Sequence, residues 1–168
     1  MSETGARKTR VLVIDDNPGD TELLRMALEA AGADCELTIL DNGWDALEFV
    51  RRQGSFAGAA LPDLVVLDLN LPRNDGAEIL ETMRAGDPFS AVPVAVLTSS
   101  SSSRERARVE NLNIECFIVK PSNLDAFLKI GAILRDILAR NLSARTPREG
   151  QPGKAEGASA SSSNSSRT

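Results

Sequence analysis

The chain has 168 residues, 26% of them charged, with a formal net charge of −5, two cysteines and no histidine. That charge argues against a nucleic-acid surface, and no apolar run approaches the roughly 18–20 residues a membrane helix needs. Without histidine the chain can hold no Ser-His triad, no histidine-bound metal and no phosphohistidine of its own.

Met1 to Arg10 is charged and lacks the apolar core of a secretory signal. From Arg10, a Val-Leu-Val-Ile run predicts a strand buried on both faces, ending in Asp15-Asp16. Pro18 starts a helix in which Leu23, Leu24, Ala27, Leu28 and Ala31 recur at helical spacing, and Gly32 stops it. Cys35 to Leu40 alternates apolar and polar, as a half-buried edge strand does. After the Asp41-Asn42-Gly43 turn, Trp44, Leu47, Phe49 and Val50 mark a second helix. A Gly/Ala-rich connection from Gly54 to Pro62 leads into Leu64-Val65-Val66-Leu67, a second fully buried strand, with Asp68 at its end. Asp75-Gly76 opens a third helix through Ile79, Leu80 and Met83. Val92 to Leu97 is a further buried strand, ending in Thr98. A serine run leads to a polar helix from about Arg104 to Leu112. Ile114 to Val119 is the last strand, ending in Lys120-Pro121, and a final helix runs from about Leu124 to Leu142.

Five β-α repeats predict a doubly wound, five-stranded parallel sheet with helices on both faces. The flavodoxin-like order of such sheets, 2-1-3-4-5, puts the ends of four strands on one rim. The domain spans residues 10–142, after an extension over 1–9. Residues 143–168 contain no Leu, Ile, Val or aromatic residue and read as a disordered tail. Cys35 and Cys116 form no CxxC, and Cys116 reads as a small core residue. These features suit the cytoplasm.

The polar residues at the strand ends form one coherent device. Asp68, at the carboxyl end of a central strand, reads as a nucleophile for a phosphoryl group. A carboxylate repels that anionic group, and a hard cation removes the repulsion. Mg²⁺ suits oxygen ligands. Asp16 and Asp68 would bind it directly with the Asn70 backbone carbonyl, and Asp15 partly through water. Lys120 supplies a positive charge for a phosphoryl oxygen, and Thr98 a hydroxyl that reports its presence. Each residue also has a plainer reading. Asp15 and Asp16 can cap a helix, Thr98 can do the same, and Lys120 can be a solvated surface charge. Only a shared rim favours the functional reading.

The runs Ile14-Asp15-Asp16-Asn17, Leu67 to Pro72, Asp75-Gly76, Leu97-Thr98-Ser99 and Val119-Lys120-Pro121 resemble a two-component response regulator receiver domain. The resemblance covers about Arg10 to Leu142. The strings Asp15 to Asp20, Pro62-Asp63-Leu64 and Leu69 to Pro72 are similar to the single-domain regulators associated with bacterial phytochrome histidine kinases. The resemblance implies Asp68 as phosphoacceptor, Asp15 and Asp16 as the Mg²⁺ pair, Thr98 as switch hydroxyl and Lys120 as the site lysine, with a Lys120–Pro121 bond that is often cis. Phe117 falls at the aromatic switch position, where a tyrosine is common. It can rotate but cannot hydrogen-bond outward.

The resulting expectation is a stand-alone signalling switch, not an enzyme, phosphorylated by a sensor histidine kinase in another chain and acting through protein contacts. Alternatives are a phosphate sink, a silent interaction module and a phosphohydrolase of the haloacid-dehalogenase type. The last wants a second Asp two residues on, where this chain has Asn70. In the last helix, Leu124, Phe127, Leu128, Leu134 and Leu138 form one stripe and Ile130, Ile133 and Ile137 a second. The excess suggests a homodimer through this helix and strand five, or else a broad core face.

Overall fold

The structure is a computed structural model that describes residues 6–145. Its strands are β1 (Thr9–Ile14), β2 (Cys35–Leu40), β3 (Leu64–Leu67), β4 (Val94–Thr98) and β5 (Cys116–Val119). They pair in parallel in the order β2-β1-β3-β4-β5, as expected. The helices are α1 (Pro18–Ala30), α2 (Gly43–Arg51), α3 (Gly76–Ala85), α4 (Ser103–Glu110) and α5 (Leu124–Arg145).

The two-residue period of each strand divides the core in two. Val11, Val13, Leu64, Val66, Ala95 and Leu97 pack with α1 and α5. Leu12, Ile14, Val65, Leu67, Val94 and Val96 pack with α2, α3 and the Val109 of α4. The fully buried runs Val11–Ile14 of β1, Leu64–Leu67 of β3 and Val94–Thr98 of β4 lie in the three inner strands, and alternating β2 is an edge. Asn17, Asn42 and Asp75 cap α1, α2 and α3 by accepting from backbone N–H groups of the first turn. Gly131 lets α5 lie against α1, since a Cβ there would sit 1.9 Å from the Ala27 carbonyl oxygen.

Several expectations are corrected. Lys120–Pro121 is trans, and the one cis bond among the described residues is Asp87–Pro88. Trp44 is 66% exposed and takes no part in the core stripe of α2. The two stripes of α5 are one. Phe127, Ile130, Leu134, Ile137 and Leu138 share a buried face, with Leu124 and Ile133 exposed on its flanks. Helix α5 also passes the expected boundary at Leu142. Ser143 to Arg145 remain helical, and the Arg145 guanidinium reaches Asp63 Oδ1 at 3.1 Å. Asp63 is buried, and the same oxygen accepts from Arg7 at 2.8 Å, so the ends of the described chain meet on one carboxylate. Residues 146–168 of the expected tail, and residues 1–5, lie outside the described residues.

Candidate functional site

Three site residues sit one step beyond a strand, and the backbone ladder holds each of them. The Asp15 N–H donates to Leu40 O at 3.1 Å, the Asp68 N–H to Ile14 O at 2.9 Å and the Lys120 N–H to Thr98 O at 2.7 Å. Their side chains leave the sheet from fixed positions and converge. Lys120 Nζ lies 2.8 Å from both Asp15 Oδ2 and Asp68 Oδ2. Oxygens of Asp15, Asp16 and Asp68 all lie within 4.8 Å of one another. Of the residues predicted to share a rim, Asp15, Asp16, Asp68 and Lys120 thus share one pocket. Asp15, Asp68 and the Lys120 side chain are buried, and Asp16 is exposed at the mouth.

The remaining oxygens are aimed by local turns. Asp15 Oδ1 accepts from the Asn17 N–H and Asp68 Oδ1 from the Asn70 N–H, both at 2.9 Å. Gly76 makes room for this loop. A Cβ there would lie 2.4 Å from the Asp68 carbonyl oxygen.

Asp20 entered the sequence reading only as the end of the Asp15 to Asp20 string and was given no role. Its Oδ2 also lies 2.8 Å from Lys120 Nζ, so all three ammonium hydrogens face carboxylates. The available signal was its place in the first turn of α1, after Asn17-Pro18, where a helix entering from the β1 rim keeps side chains near the pocket. Burial works against the Lys120 charge, yet the hydrogen bonds to Asp15, Asp20 and Asp68 hold its pKa above the ordinary lysine value. Burial raises the Asp15 pKa above 3.8 and outweighs the Lys120 and Asn17 hydrogen bonds that lower it. The pocket therefore holds more negative charge than its one ammonium offsets.

Thr98 is fully buried, and its Oγ1 accepts from Asn70 Nδ2 at 3.1 Å and from the Ser100 N–H at 3.3 Å. Its own hydrogen is left to donate. Phe117 stands apart from the acidic pocket. It pairs with Val96 in the sheet and is half-buried, with the Arg106 guanidinium 5.3 Å over its ring. Arg108 ties α4 to α3 through Asp75 and Glu81.

The profile of the response regulator receiver domain matches residues 11–131, most of the chain. The chain belongs to this family. The receiver is 32% identical over 130 residues to the response regulator Rcp1 of Synechocystis sp., covering 77% of this chain and 88% of Rcp1. It resembles the phosphorylated cyanobacterial phytochrome response regulator RcpA with a TM-score of 0.74 and 29% identity, covering 83% of this chain and 98% of that one. It also resembles the Mn²⁺-bound form of Rcp1, with a TM-score of 0.71 and 30% identity over 76% of this chain and 92% of that one. Receiver domains are phosphoacceptor signalling domains of two-component systems and work with sensor histidine kinases, not as classical enzymes. The phosphohydrolase and phosphate-sink alternatives are not favoured. The acidic cluster is compatible with a divalent cation. Among the described residues no helix is long and apolar enough to cross a membrane.

Proposed function

We propose that Asp68 accepts a phosphoryl group from the phosphohistidine of a partner kinase. The convergence of Asp68, Lys120 and two further carboxylates at one rim carries this reading. Hard oxygen donors that lack enough positive charge fit Mg²⁺. Asp15, Asp16 and Asp68 would hold it with the Asn70 backbone carbonyl. Bound there, it supplies the charge that lets two anions meet. An Asp68 carboxylate oxygen attacks phosphorus, the P–N bond breaks and its electron pair returns to the imidazole. Lys120 turns one N–H from Asp68 to a phosphoryl oxygen. Thr98 donates its hydroxyl hydrogen to another, drawing the β4–α4 loop inward. Phe117, released from or pressed against Arg106 of α4, passes the change to the surface.

Because the chain has no histidine, the donor lies on another protein. Likeness to RcpA and Rcp1 supports a phytochrome-type sensor kinase. The net charge of −5 favours an output through protein contacts, without nucleic acid. Exposed apolar residues on β5 and α5 support a homodimer through those elements. The unpaired Cys35 and Cys116 suit a reducing compartment, and we place the protein in the cytoplasm, away from the membrane.

Asp68→Asn tests the assignment. The natural chain, incubated with Mg²⁺ and a small phosphodonor, is expected to acquire a label that alkali removes. The variant is expected to acquire none, and a labelled variant would refute the assignment.

A further inference from the structure

Asp20 plays no part in the chemistry above, yet it shares the Lys120 ammonium on equal terms with Asp15 and Asp68, each at 2.8 Å. We propose that Asp20 is a positioning residue for Lys120: it steadies the ammonium over Asp68 during transfer and so sets the rate at which Asp68 is phosphorylated. The inference rests on the reading of Asp68 as phosphoacceptor.

The place of Asp20 is built, not incidental. Asn17 Oδ1 accepts from the backbone N–H groups of Gly19 and Asp20, and Thr21 Oγ1 donates to Pro18 O. The first turn of α1 is thereby fixed to its cap, Asn17, whose own N–H donates to Asp15 Oδ1. Asp20 stands outside the three-carboxylate cluster, so it acts through the lysine. Its side chain is 23% exposed, against 6% for Asp15 and 4% for Asp68. It is the most exposed of the three carboxylates on Lys120.

The donor count gives it a task. An ammonium has three N–H groups, and here each faces a carboxylate. As Asp68 attacks phosphorus and the P–N bond of the donor breaks, negative charge moves to the phosphoryl oxygens. The N–H aimed at Asp68 must then follow. Bonds to Asp15 and Asp20 come from two different elements and hold Nζ in place while it does. With Asp15 alone, the flexible four-carbon stem can swing toward water. Asp20 also adds a negative charge that repels an anionic donor, so removing it has two opposed effects. Positioning predicts slower transfer, and repulsion alone predicts faster transfer.

The test uses the full chain with Mg²⁺ and phosphoramidate, following Asp68 labelling against donor concentration. Asp20→Ala is expected to lower the maximal rate about tenfold and leave the half-saturating donor concentration within about twofold. Asp20→Asn keeps a neutral acceptor and is expected to fall between. A second readout needs neither donor nor metal. The ¹⁵N–¹H signal of the Lys120 ammonium is expected to be protected from exchange in the natural chain and lost in Asp20→Ala. If Asp20→Ala does not fold, Asp20→Asn carries both measurements. A variant as fast as the natural chain or faster, with that signal intact, would overturn the proposal. Labelling of Asp68→Asn would instead overturn the phosphoacceptor reading beneath it.

Discussion

Asp15 is buried beside a lysine, and its pKa is still raised, because lost hydration outweighs the hydrogen bonds from Lys120 and Asn17. A folded-state pKa above the unfolded one means that the group favours the fold below about pH 3.8, and that this contribution is lost as pH rises through the folded value. At neutral pH the ionised Asp15 therefore works against the metal-free fold, whereas the raised pKa of Lys120 works for it. Asp15→Asn is expected to raise the thermal midpoint in EDTA at pH 7, with the gain vanishing as pH falls toward 3.8. The same change is expected to weaken Mg²⁺ binding at least about tenfold, measured as loss of the metal-induced rise in midpoint. A lower midpoint in EDTA at pH 7 would contradict the argument. Asp15, Asp68, Thr98 and Lys120 were legible in the sequence because each directly ends a strand run, and strand ends share a rim by topology. Asp20 was not. Its approach to Lys120 depends on where α1 leaves β1, which residue type and spacing do not specify.

Apolar periodicity placed every strand and long helix and missed the shortest elements. Two single turns of 3₁₀-helix, Gly54–Phe56 and Phe89–Ala91, lie inside stretches that read as loop. The second is gathered by Arg84 of α3. The Nε of Arg84 donates to Leu112 O at 2.8 Å, Nη1 to Val92 O at 2.9 Å and Ser90 O at 3.1 Å, and Nη2 to Asn113 O at 3.0 Å. One fork thus satisfies carbonyls leading into β4 and into β5, the strands that end in Thr98 and Lys120. Burial lowers the pKa of Arg84, against Glu115, which raises it. Its exposure in sequence gave no hint, because the acceptors are backbone atoms of loops remote along the chain. Arg84→Met is expected to destabilise the fold by about 2–3 kcal/mol, read from urea unfolding. Arg84→Lys, which keeps the charge without the fork, is expected to recover less than half of the loss. A variant of unchanged midpoint would show that water replaces the guanidinium at no cost.

At the scale of the molecule, the two layers leave different surfaces at the two edges of the sheet. Helix α5 faces α1 on one flank, where Arg135 Nη1 donates to Ala31 O at 3.0 Å. On the other it faces β5, where Asn141 Nδ2 and Arg140 reach Glu115. Ile133 stands two turns before Arg140 and so lies on the β5 flank. There it is 43% exposed, as is Val119 of β5. The sequence overstated this surface, since Ile130 and Ile137 spend their apolar area on the core. Leu124, though more exposed, lies nearer the α1 flank, eleven residues from Arg135. The proposed homodimer thus rests on a small apolar edge, and a small edge gives a weak, concentration-dependent dimer. Light scattering across a concentration series is expected to show the mass rising toward twice that of the chain at tens of micromolar. Ile133→Glu, on an exposed position, is expected to leave the fold intact and hold the protein as a monomer. It places a like charge beside its symmetry mate and removes the apolar contact at the centre of the edge. A natural chain that stays monomeric throughout the series would end the dimer proposal.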